Sequence, residues 1–116
     1  MTDLRSYLDQ VKKMNQLHTI SKKVSTKYEI ASITAQVDGG NAVLFSNIKE
    51  SKLRLVANLV GNRARFAKAI SGTENTIHDK VISAIEHTKK PKITHDGKFF
   101  ENKSKDLSML PIVTHF

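Results

Sequence analysis

The 116-residue chain has no cysteine, which removes disulfides, thiolate zinc sites and cysteine nucleophiles together. A reducing cytoplasm is the expected compartment. No apolar run approaches the roughly 20 residues that cross a bilayer. The opening, MTDLRSYLDQ, is amphipathic rather than a signal sequence. The phosphate-binding patterns GxxxxGK[ST] and GxGxxG and the GxSxG nucleophile elbow are all missing. So are HxxxH and HExxH, the spacings that put two imidazoles on one helix face. Acidic residues are in deficit, 11 against 19 Lys+Arg, for a net charge of +8. Such a charge raises affinity for nucleic acid and acidic surfaces. Most of it, however, is lysine scattered in pairs (Lys12-Lys13, Lys22-Lys23, Lys89-Lys90), the pattern of a solvated face.

What is present fits one domain. A chain this long buries roughly 65% of the surface its unfolded form exposes, and 39% hydrophobic residues supply a modest core. Asp3 caps a predicted helix over 4–15, with Leu4, Tyr7, Leu8, Val11 and Met14 as its apolar stripe. LHTISKKV (17–24) reads as a short strand. Thr26 and Glu29 have capping-box spacing and start a second helix, which Ile30, Ala31, Ile33 and Val37 bury and Gly39-Gly40 stops. NAVLFSNI (41–48) and LRLVANLV (53–60) read as central strands. A third helix follows Gly61-Asn62. A fourth spans about 74–89, with Ile77, Val81, Ile82, Ala84 and Ile85 expected inward and Pro91 closing it. KITHDGKFF (92–100) suggests a hairpin around Asp96-Gly97. The fold class is therefore α/β or α+β: one compact domain with a mixed sheet packed by about four helices.

Candidate chemistry is sparse. Five histidines, His18, His78, His87, His95 and His115, invite a metal search. His78 and His87 lie about two and a half turns apart and point in different directions, so surface histidine is the better reading. His95-Asp96-Gly97 reads as a turn rather than a catalytic pair. The strongest candidate is NLVGNRARFAKAI (58–70), where a glycine turn with Arg63 and Arg65 opens a helix. Backbone N–H groups at such a turn attract anions. Yet arginines two apart diverge by about 200° on a helix and do not easily clamp one phosphate. A phosphate cradle and a plain strand-to-helix turn both remain open on chemistry alone. In the second reading Phe66 and Ile70 face inward, and Arg63 and Arg65 are surface or domain-contact residues. No catalytic, cofactor-binding or metal-binding residue is assigned.

The order of segments resembles the N-terminal domain of UbiD-type decarboxylases. DLRSYLDQVKKMNQLHTISKKV is similar to that family's opening helix and strand with a basic pair. TKYEIASITAQV resembles the following helix, and NAVLFSNIKES the next strand and turn. VANLVGNRARFAKAI is similar to a "GNLFGSRERIALAL" segment, with Asn58, Leu59, Gly61, Arg63 and Arg65 in register. KDLSMLPIVTHF looks like the stretch leading from the first domain to the next. The Gly39-Gly40-Asn41 turn departs from the family's more usual glycine-proline.

The resemblance implies decarboxylases, often reversible, of aromatic or α,β-unsaturated carboxylic acids in quinone or isoprenoid biosynthesis. It implies prenylated FMN, a divalent metal such as manganese, and potassium. Family chains are several times longer, and their cofactor-binding barrel and Glu-Arg-Glu catalytic set follow the junction at which this sequence ends. Residues 1–105 are thus expected to form a non-catalytic N-terminal domain, and 106–116 the start of a connection to a cofactor-binding domain. The expected partner is the remainder of the decarboxylase chain or a complementary subunit, and family members homo-oligomerise through a later domain. A basic nucleic-acid-binding module is an alternative, against which Tyr7, Tyr28, Phe45 and Phe66 all fall on expected core positions. A stand-alone interaction subunit, docking through LPIVTHF, is another. An archaeal source would suit the Lys/Ile-rich composition.

Overall fold

The computed structural model describes residues 3–97 and 101–116. Its centre is a three-stranded mixed sheet of β1 (Leu17–Ile20), β2 (Ala42–Phe45) and β3 (Leu55–Ala57), in that order. β1 and β2 are parallel, with Leu17 opposite Ala42 and Ile20 opposite Phe45. β2 and β3 are antiparallel, with Phe45 opposite Leu55. Parallel neighbours need a crossover, and helix α2 (Glu29–Gln36) lies in it.

Alternation along the strands divides the core. Val43 and Phe45 face one way and meet Val24, Ile30 and Ile48, with Ile33 of α2 and Val37 at its C-terminal cap packed against them. Ala42 faces the other way, into a smaller cluster with Tyr7 and Val11 of α1 (Leu4–Lys13), bordered by Leu17, Leu59 and Ala69. Ala69 closes α3 (Arg63–Ala69), so helices cover both sheet faces. The α/β expectation with a mixed sheet and four helices holds.

Local sequence explains the element ends. Asp3 Oδ1 accepts the Ser6 N–H at 2.8 Å and caps α1. Lys12 and Lys13 sit in the last turn, where cations complement the helix dipole. Of the predicted stripe only Tyr7 and Val11 are buried; Leu4 and Met14 are exposed. The strand predicted to residue 24 breaks after Ile20, but Val24 pairs again with Ile48 as an isolated parallel bridge. LHTISKKV and NAVLFSNI therefore each contain two separate pairings. LRLVANLV is an edge strand of three half-buried residues rather than a central one.

The capping box also shifts. Glu29 reaches the Ser25 N–H at 2.8 Å, not that of Thr26. Thr26 is buried, and its N–H donates to Glu50 Oε2 at 2.9 Å. The residue just before α2 is Tyr28, with φ of 66°, a left-handed conformation uncommon outside glycine. A 3-10 turn (Glu74–Thr76) leads into α4 (Ile77–Glu86). The inward face predicted for α4 is not realised, because none of its residues is buried. Residues 92–97 form no strand, and the second arm of the suggested hairpin lies outside the described residues. The tail adds a 3-10 turn (Leu107–Met109). It is held at Thr114, whose N–H donates to Thr26 O at 2.9 Å and whose carbonyl accepts from Tyr28 at 3.1 Å.

Candidate functional site

At the turn between β3 and α3, Asn58 takes φ of 54°. Its side-chain amide donates to Val37 O at 2.6 Å and Asn41 O at 3.0 Å, with a longer contact to Gly40 O at 3.4 Å. This ties the β3–α3 turn to the α2–β2 turn. Asn62 then caps α3, its Oδ1 accepting the Arg65 N–H at 2.9 Å. The helix has seven residues and its leading N–H groups are partly served by that cap. The strand-to-helix turn is the alternative this geometry supports.

Arg65 overturns the surface reading. It is 1% exposed, whereas Phe66, expected inward, is 38% exposed. The Arg65 guanidinium donates from Nε to Leu59 O at 3.1 Å and from Nη2 to Gly40 O at 2.5 Å and Asn58 O at 3.0 Å. Nη1 lies 3.4 Å from Gln16 Oε1. Carbonyls of a strand end and a glycine turn thus converge on one planar cation, whose fork of donors suits them. Ala67, not Phe66, supplies the apolar part of the buried face. Arg63 remains exposed, as expected.

Titratable groups serve local structure. Burial pushes the Tyr7 phenol up, with the nearby Arg65 cation opposing. Glu50 is held below the usual carboxylate range, first by the Ser25 hydroxyl and then by the Thr26 N–H. Ser6 does the same for Asp3, and Ser108 for Asp106. Among the described residues no three His, Asp or Glu gather as metal ligands. His87 Nδ1 lies 3.1 Å from Ser83 O within its own helix.

Two of the open clefts among the described residues are sizeable. One, of about 770 Å³, lies between the Ser46–Leu53 loop and the tail, lined by Lys23, Lys49, Lys52 and Met109. Its edge is fixed where the Ser51 hydroxyl donates to Met109 O at 2.5 Å. The other, of about 850 Å³, lies between Ile70 and helix α4. Flavin sites are concave, mostly apolar and nearly enclosed. Neither cleft has that form, so these residues do not fit a prenylated FMN. The lysines of the first were scattered in sequence and gave no signal of meeting. The aromatic argument against nucleic acid holds for Tyr7 and Phe45, which are buried. It fails for Tyr28, 58% exposed, and for Phe66. No helix among the described residues is long and apolar enough to cross a membrane.

Residues 8–85 match the 3-octaprenyl-4-hydroxybenzoate carboxy-lyase N-terminal domain. The UbiD-class enzyme HmfF from Pelotomaculum thermopropionicum, solved in complex with FMN, superposes with a TM-score of 0.86 at 31% identity, over 97% of this chain and 27% of HmfF. An evolved dimeric form of HmfF, in complex with prenylated FMN, matches 100% of this chain and 29% of its own, with a TM-score of 0.85 at 28% identity. The anhydromevalonate phosphate decarboxylase of Methanothermobacter thermautotrophicus is 25% identical over 113 residues, which are 97% of this chain and 26% of that protein. The chain thus spans little more than a quarter of the length of these relatives.

Proposed function

We propose a function from one premise: the chain belongs to the family of 3-octaprenyl-4-hydroxybenzoate carboxy-lyase N-terminal domains. It serves as the non-catalytic α/β domain of a UbiD-class carboxy-lyase that adds or removes CO₂ on aromatic or α,β-unsaturated acids. The observation that carries this reading is the HmfF match, which takes in nearly all of this chain and about a quarter of the enzyme. Residues 1–105 form the domain, and 106–116 begin the connection onward. Prenylated FMN, with the divalent metal and potassium that the family resemblance implies, is held by the complementary region. The two open clefts described above support that assignment. The cytoplasm is the compartment in this reading, in keeping with a chain free of cysteine.

The chain's own contribution is mechanical. The Arg65 and Asn58 bonds hold the turns on either side of β2 and β3 rigid, so the domain presents a fixed surface to the catalytic region. The test is CO₂ release from purified protein supplied with prenylated FMN and manganese. No release is expected from the chain alone, and release is expected once the cognate catalytic polypeptide is added. Turnover by the chain alone would overturn the reading.

A further inference from the structure

Helix α4 is amphipathic, yet among the described residues its apolar stripe is left largely uncovered. Val81, Ile82 and Ile85 are 40%, 41% and 67% exposed. Side chains of this kind gain when they are buried, so a stripe kept in water is unusual for a helix of ten residues. The cleft of about 850 Å³ toward Ile70 runs along the same helix and is bordered by Val81 and Ala84.

Two observations identify the occupant. The evolved HmfF structure matches all of this chain, α4 included, and the match is 29% of that polypeptide. In that relative the helix therefore belongs to a body most of which lies outside the match. Charge argues against a second copy. The chain carries +8, and Lys89, Lys90 and Lys92 follow directly on α4, so a two-fold contact here would bring like charges together.

We propose that the α4 stripe is the docking face for the complementary region of a UbiD-class decarboxylase, through an apolar patch on that region with an acidic rim. The inference rests on the function proposed above and adds the surface by which the two parts join.

The experiment mixes the full chain with the cognate prenylated-FMN-binding polypeptide and reads affinity by calorimetry and amide exchange by mass spectrometry. Binding is expected to protect residues 77–86. The double substitution Ile82→Asp with Ile85→Asp is expected to weaken binding more than tenfold, while Leu4→Asp, on the exposed part of α1, leaves it unchanged. Because all three positions are exposed, circular dichroism should show each variant folded. Protection that appears elsewhere, or equal affinity of the double variant, overturns the docking face while leaving the proposed function intact. No binding by the wild-type chain removes both. Concentration-dependent protection of α4 without the partner assigns the stripe to a second copy. Loss of anionic-vesicle binding in the double variant assigns it to a membrane surface. Either result overturns the proposal.

Discussion

The Tyr7 hydroxyl donates to the backbone carbonyl of Arg65 at 2.6 Å, across 58 residues of sequence. It joins α1 to α3 at the residue whose side chain reaches the other way, into the turns beyond the sheet. Removing the hydroxyl with Tyr7→Phe keeps the ring and takes away this one bond, while the Arg65 carbonyl keeps its place in the α3 ladder. A loss of about 0.5–1.5 kcal/mol in urea denaturation is expected. The phenol also sets an alkaline limit. Its folded-state pKa lies above the ordinary value of 10.0 because burial disfavours the phenolate. The unfolded chain therefore loses this proton first. The stabilisation is complete below about pH 10 and disappears as pH rises through the folded value. Tyr7→Phe should flatten that decline; an unchanged slope above pH 10 would exclude Tyr7 as its source.

Arg65→Met tests the buried guanidinium. Methionine fills part of the volume but takes the guanidinium donors from the Leu59, Gly40 and Asn58 carbonyls, of which Asn58 keeps the Gly61 N–H. Hydrogen bonds to a charged donor are worth about 1.5–3 kcal/mol each, so a loss of about 3 kcal/mol is expected. Arg65→Lys should rescue little, because an ammonium cannot reproduce the fork. A lysine variant as stable as wild type would show that charge alone, rather than geometry, holds the turns.

Two glycines should respond differently to alanine. A methyl group at Gly61 would sit 1.5 Å from Asn58 Oδ1. Asn58 cannot easily swing away, because its amide is bonded to Val37 O and Asn41 O. Gly39 has φ of 70° but open space around it, so Gly39→Ala costs only the left-handed penalty of about 1–2 kcal/mol. Gly61→Ala should cost more than Gly39→Ala and should raise amide exchange at Asn41 and Ala42. The reverse order in thermal melts would contradict the clash.

These residues also mark where sequence stops being informative. Helices α1, α2 and α3, strand β2 and the cap at Asp3 were legible, because period, caps and glycine stops act within a few residues. Burial of Arg65 was not legible, since its ligands come from residues 40, 58 and 59 and meet only after folding. The α4 face misled for a related reason. Periodicity announces an apolar stripe but says nothing of whether its cover lies in the same domain. In the region 53–60, hydrophobicity suggested a central strand, whereas sheet order made it an edge.

Acid should loosen the segment before α2. Glu50 binds the Ser25 hydroxyl and the Thr26 N–H, and its folded-state pKa lies below the ordinary value of 4.5. Because the folded carboxylate binds protons less readily than the unfolded one, its stabilisation is present above about pH 4.5. It is lost as pH falls through the folded value. A lower protection factor of the Thr26 amide below pH 4.5, corrected for the intrinsic slowing of exchange in acid, is the expected signature, and Glu50→Gln should show it already at neutral pH. A pH-independent Thr26 exchange equilibrium would remove this role for Glu50.

The tail gives the sharpest local test, because its two kinds of residue should behave in opposite ways. Leu107, Ile112 and Phe116 are exposed, which by itself suggests a loose terminus. Thr114, however, both donates to Thr26 O and accepts from Tyr28 N–H, and Val113 packs against the larger core cluster. The Thr114 and Tyr28 amides should therefore exchange slowly together, while that of Phe116 exchanges near the free rate. Thr114→Pro removes the donor and should release both, because the Tyr28 N–H loses its acceptor as the strand-like pairing opens. Tyr28 stands at φ of 66°, a strained conformation that the pairing helps to hold. Its release should let Tyr28 relax and shift the backbone resonances of residues 25–30. Equal exchange rates for Thr114 and Phe116 in the wild-type chain would contradict the anchor.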